Sequence, residues 1–189
     1  MKKLVIAGAS VALAAMPVLG VFAADGNNAI VDNIEVTIDS ACSVTATNAT
    51  NTYAVNMSNS QLKSDIGSTT MNVKCNDNGG WKLNAAGTGP AADKTVLQAS
   101  AGTDIVSGTA TSGTTSNWAF KVAGDSTVAA YQNFAEVPAA GTKVAEGNGA
   151  TDMTNGTEIT TTYQVWISST QQKGTYTGQV TYTLVHPNA

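Results

Sequence analysis

Arginine is absent from this chain of 189 residues, histidine occurs once, and only 12% of the residues are charged. All nine basic residues are lysines, set against thirteen acids. That balance leaves no basic face to neutralise phosphates and argues against nucleic acid as a partner. The missing guanidinium also removes the planar fork that clamps carboxylates and phosphates. The single histidine, His186, stands near the C-terminus beside Pro187, so a Ser-His-Asp or Cys-His arrangement would have to be completed by a fraying end. Two cysteines and that remote histidine fall short of the four ligands of a structural zinc. Nearly all the acids fall in turns or on the polar side of alternating segments, which gives little basis for a glycosidase-type carboxylate pair. The expectation is a protein that is not an enzyme, with no catalytic residue, metal or cofactor. Charge is too sparse for a coiled coil, and 42% hydrophobic residues are too many for a disordered tail.

What the chain does have is threonine, 27 residues of it, together with Val, Ile, Tyr and Trp. Those β-formers predict an all-β domain. At the N-terminus, Lys2 and Lys3 precede an uncharged apolar run from Leu4 to Val21, and Val21-Phe22-Ala23 supplies modest residues before a cleavage point. This reads as a signal peptide over residues 1–23, with residues 24–189 forming one secreted domain of net charge −6. No second apolar span follows, so no transmembrane segment is expected in the mature chain.

Export carries Cys42 and Cys75 to a compartment where disulfides persist, and the two are expected to pair. Closing a loop of that length stabilises by about 3.5 to 4 kcal/mol on the chain-entropy model. Period-two alternation recurs throughout, whereas the helical period does not. Ile34, Val36 and Ile38 share one face of a strand within Ile30 to Asp39. Further strands are expected at Cys42 and Val44, at Tyr53 to Met57, and from Thr69 to Asn76, where Met71, Val73 and Cys75 point inward and would bring the bridge across a core. Asn76 to Gly80 predicts a hairpin turn feeding Trp81-Lys82-Leu83. Gly87 to Ser116 and Ala123 to Thr157 are weakly patterned. Trp118, Phe120 and Val122 share a face, as do Tyr163, Val165 and Ile167. Tyr176, Val180, Tyr182 and Leu184 do the same in the last segment, and the last two segments predict a terminal antiparallel hairpin. Together these elements predict a single two-sheet antiparallel β-sandwich.

Two features invite a binding role. Trp81 and Trp118 are in phase with apolar neighbours and read as core, but Trp166 is out of phase with Tyr163, Val165 and Ile167, so it is the tryptophan expected to face outward. Asp152, Thr154, Gly156 and Glu158 alternate in a Gly/Asn-rich loop of the kind that can present oxygens to Ca²⁺, although the acid count falls short and a solvated loop is the plainer reading. Asp77 reads as a turn former.

Trp81-Lys82-Leu83, the later Gly174-Thr175-Tyr176-Thr177 and Tyr182-Thr183-Leu184 resemble the WxL domains of Gram-positive surface proteins, with Tyr182 standing where the family has its second Trp. The likeness covers roughly Trp81 to Pro187. It implies a β-rich domain held non-covalently at the cell wall, with Trp81, Leu83, Trp166, Tyr182 and Leu184 as contacts for peptidoglycan or another wall glycan. A second likeness, carried by Ala41-Cys42-Ser43-Val44, the segment ending at Cys75 and the alternating stretch before Cys42, is to chaperone-usher pilins and spore-coat-U-type subunits. It implies an Ig-like, pilin-like sandwich stapled by the cysteines, with residues 24–40 as an N-terminal strand donated to another copy. The overall expectation is a structural or adhesive protein, secreted to the bacterial cell surface and crossing the periplasm where the envelope has two membranes. Its expected partners are wall glycan, other surface proteins or itself.

Overall fold

The computed structural model describes residue 36, residues 40–47 and residues 62–186. The signal segment, the bulk of the Ile30 to Asp39 strand and the strand expected around Tyr53, Val55 and Met57 lie outside the described residues. Ser40–Ala189 gathers into one compact unit, and its described part is all-β. Its strands are β1 (Cys42–Thr47), β2 (Leu62–Cys75), β3 (Trp81–Gly87), β4 (Gln98–Ala99), β5 (Val106–Ser107), β6 (Asn117–Ala123), β7 (Thr142–Gly147), β8 (Thr157–Ile167), β9 (Tyr176–Thr177) and β10 (Val180–Val185). A single 3-10 turn, Ala129–Tyr131, follows β6.

The longest ladder is β2 against β8, antiparallel from Leu62↔Ile167 to Val73↔Thr157. One register shift at Asp65/Gly67 inserts Ile66 as a bulge, and Gly67 takes φ 122° there. β1 pairs with the free side of β2, and β6 with the free side of β8, so the sheet order is β1-β2-β8-β6-β5. This five-stranded sheet curls into a half-barrel. A second sheet has the order β10-β3-β7, and β4 with β9 forms a short ribbon.

The alternation seen in the sequence decides what is buried. Met71, Val73, Cys75, Trp118, Phe120, Val122, Ile159, Val165 and Ile167 come from the curled sheet. Trp81, Leu83, Ala85, Val144 and Ala145 come from the three-stranded one, and all of them join one hydrophobic cluster. At about 25 cal/mol per Å² of apolar surface removed from water, this shared core is the main favourable term holding the sheets together. The Trp118 indole N–H is satisfied by the Thr95 carbonyl at 2.8 Å, which also ties the long loop after β3 onto β6.

Several expectations are corrected. The expected all-β class is present, its strands gathered into a curled five-stranded sheet, a three-stranded sheet and a short ribbon, and β5 departs from the expected antiparallel pattern by running parallel to β6. The Asn76 to Gly80 turn is no hairpin: it carries the chain from β2 in one sheet to β3 in the other. Its chemistry is nonetheless that of a turn, with Asp77 Oδ1 accepting from Gly79 N at 2.7 Å and the Asp77 carbonyl accepting from Gly80 N at 3.1 Å. β8 and β10 likewise belong to different sheets, so the last two segments do not pair. The disulfide forms as expected between Cys42 and Cys75. It links residues directly opposite each other on neighbouring strands, Cα to Cα 4.1 Å, and does not cross the core. β7 was not legible, because Val144 and Ala145 are both buried and no alternation marks the strand.

The turn into β3 packs closely against the end of β7, the neighbour of β3 in the three-stranded sheet. Gly80, at φ +83°, lies so near the chain end of β7 that a Cβ there would stand 2.0 Å from the Gly147 carbonyl oxygen. Gly147 is the cross-strand partner of Trp81, and the indole lies over it, within 2.4 Å of where a Cβ would be. Replacing Gly147 by Ala should therefore overpack this corner and cost about 1–3 kcal/mol, read as a lower urea midpoint at unchanged m, together with altered Trp fluorescence.

Candidate functional site

Inward-facing residues on the interior strands are closed off from solvent: Met71, Val73, Phe120, Ile159, Leu83 and Ala85 are each 0–1% exposed. The inward positions of β1 and β10 differ. Cys42 and Val44 on β1, and Val180, Tyr182 and Leu184 on β10, pack against the cluster yet remain only half-buried. Among the described residues β1 hydrogen-bonds β2 alone and β10 hydrogen-bonds β3 alone, so no described strand lies on the second edge of either. Between those two edges lies a cavity of about 220 Å³, lined by Val44, Ala46, Thr69, Met71, Tyr163, Val180 and Tyr182.

The cavity is apolar along its β1 side and at Met71 of β2, and polar where Thr69 and the two tyrosines line it. The Tyr163 and Tyr182 hydroxyls, one from each large sheet, meet at 3.0 Å. Burial raises both phenols above their ordinary pKa of 10, Tyr182 well above it, where the neighbouring Tyr163 adds to the effect. The pair is thus held neutral and acts as a hydrogen-bonded clasp across the open side of the core.

Other residues singled out in the sequence do not gather at one place. Trp81 and Leu83 are buried in β3, 2% and 0% exposed, and serve the core. Leu184 lies opposite Leu83, and Tyr182 opposite Ala85. Trp166 sits on the other face of β8, between Lys63 of β2 and Asn117 of β6, half-buried, its Nε1 without a hydrogen-bond partner among the described residues. Trp166 and the Trp81-Leu83 pair therefore belong to different faces of different sheets. In the Asp152 loop, the carboxylate accepts from Thr154 N at 2.7 Å and Asn155 Nδ2 at 2.5 Å, bonds that hold its pKa below the usual value. The Thr154 carbonyl accepts from Lys74 Nζ at 2.6 Å and the Asn155 carbonyl from Asn72 Nδ2 at 2.7 Å. A lysine already supplies the positive charge at this loop, in keeping with the plainer reading of it. Among the described residues, no group of three or more His, Cys, Asp or Glu side chains is placed to hold a metal, and no helix is long and apolar enough to cross a membrane.

The groove between β1 and β10 was missed by sequence reasoning. Met71 read as inward-facing, Val180 and Tyr182 as sharing a face and Val44 as part of a strand, but nothing local indicates that β1 and β10 face each other without pairing. No family model, curated protein or solved structure matches this chain.

The tyrosine clasp fixes the sign of an alkaline transition. The unfolded chain releases its phenolic protons near pH 10 while the folded chain retains them longer, so this stabilisation is complete below pH 10 and is lost as pH rises above it. Thermal melts across the alkaline range should show the native chain losing stability steeply above pH 10, and a Tyr163→Phe/Tyr182→Phe chain losing less.

Proposed function

We propose that this chain is a non-catalytic structural subunit of a bacterial surface, exported through its N-terminal signal and completed by a β-strand added between β1 and β10. In this reading the five- and three-stranded sheets are the two layers of a sandwich that lacks one strand. The observation that carries the proposal is a local difference in burial: Met71, Val73, Ile159, Phe120 and Leu83 on the interior strands are fully buried, whereas the inward positions of β1 and β10 are only half-buried among the described residues. An added strand would satisfy free edge N–H and C=O groups and cover Val44, Val180 and Tyr182 with alternate side chains. The likeness of the Cys42 region to pilin and coat subunits points the same way.

The strand best suited to the groove is in the chain itself. Residues 30–39 alternate, with Ile34, Val36 and Ile38 on one face and Glu35, Thr37 and Asp39 on the other. Ala41 is pinned to Asn76 through both backbone groups, its N–H to Asn76 Oδ1 at 2.6 Å and its carbonyl from Asn76 N at 3.1 Å. We assign the donor to a second copy, as in the pilin and coat subunits that the Cys42 region resembles. Attachment to peptidoglycan has no such observation behind it, since Trp81 and Leu83 are committed to the core.

Size-exclusion chromatography of the mature chain tests the proposal. The mature protein should self-associate. Ile34→Asp, which spoils the donor, and Val180→Asp, which spoils the acceptor, should each abolish association, and mixing the two should restore a heterodimer because each retains the half the other lacks. A mature protein that stays monomeric, and is no more heat-stable than a chain starting at Ser40, would refute strand addition.

A further inference from the structure

Three Asn-Gly steps lie among the described residues: Asn78-Gly79, Asn148-Gly149 and Asn155-Gly156. At such a step the following backbone nitrogen can reach the asparagine side-chain carbon, because glycine brings no side chain to obstruct it. The three steps differ in what restrains that nitrogen. Gly79 N donates to the Asp77 carboxylate at 2.7 Å. Gly156 N donates to the Asp152 carbonyl at 2.6 Å, and the amide of Asn155 is itself held on Asp152 Oδ2. Gly156 is also hemmed in, since a Cβ there would stand 2.1 Å from Asn72 Oδ1 and 2.8 Å from the Val73 carbonyl oxygen. Gly149 is the exception. Its nitrogen carries no hydrogen bond among the described residues, nothing lies within 4 Å of where its Cβ would be, and Asn148 is exposed.

We propose that Asn148 is a site of spontaneous covalent modification, selected from the three by the fold. The Gly149 nitrogen, giving its proton to solvent base, bonds to Asn148 Cγ. The Cγ–Nδ2 bond breaks and the nitrogen leaves as ammonia, closing a five-membered succinimide. Water then adds to one of the two ring carbonyls. Opening on one side yields aspartate, and on the other isoaspartate, with the main chain routed through the former side chain. Water is the only co-reactant. The product places a new carboxylate two residues from Glu146 and, in the iso form, lengthens the main chain next to Gly147, on which the Trp81 indole rests. A long-lived surface protein would thus carry a permanent mark of its age where the end of β7 packs against the turn into β3.

The test is incubation of the full mature chain in mildly alkaline buffer, followed by peptide mapping for the amide-to-acid mass change and enzymatic methylation of isoaspartate. Conversion at Asn148 should exceed that at Asn78 and Asn155 on the order of tenfold, the worth of the bonds that must break at the other two sites. In denaturant the three should react at similar rates, and Asn148→Gln should abolish the main product while leaving the melting temperature unchanged. Equal native rates, a lead at Asn78 or Asn155, or a lead at Asn148 that persists undiminished in denaturant would each overturn the proposal.

Discussion

The antiparallel ladder between β2 and β8 is the constraint on which the rest of the domain depends. It is the longest pairing in the molecule, and because side chains alternate, its register alone decides which residues of both strands face the core. Slipping it by one residue would turn Met71, Val73, Ile159 and Val165 to solvent and bring Asn72, Lys74, Gln164 and Trp166 inside. The bulge at Ile66 lets β2 carry the ladder past its bend without losing that phase. β1 and β6 then take their positions from the two outer edges of this pair, and the disulfide holds the shorter of them, β1, against β2.

The same geometry explains why the domain has an open side. Among the described residues β1 forms a ladder on one edge only, and β10, which approaches it, belongs to a different sheet. The Tyr163–Tyr182 hydroxyl contact is a polar link between the sheets there. A pair of neutral phenols suits such a position. It satisfies two polar groups at a partly covered surface without burying a charge, and it leaves apolar surface on either side for an incoming strand.

Face assignments along single strands were legible in the sequence, whereas the partners of those strands were not. Period-two alternation placed Met71, Val73 and Cys75 inside, and did the same for Trp118, Phe120 and Val122. Ala119, between Trp118 and Phe120 in β6, is also fully buried, so burial there runs through consecutive residues where alternation alone would bury every second one. β7 escaped notice since Val144 and Ala145 are buried in succession, with Val144 the extra residue of a register shift against β3. The turn at Asn76 to Gly80 has the composition of a hairpin loop, yet Gly80 uses its left-handed backbone to bring the chain against Gly147 and into another sheet. Local chemistry specifies a reversal of direction, and only the packing of distant residues specifies which sheet receives it. The groove was invisible for that reason: it is a relation between two strands that do not pair.

Amide hydrogen exchange on the mature protein, held dilute enough to be monomeric, tests the open-sided core most directly. The account predicts that β2, β8, β6 and β3 exchange only through global unfolding, while β1 and β10 exchange early and become protected when the protein is concentrated. Protection of β1 and β10 equal to that of β8 in the dilute monomer would contradict it.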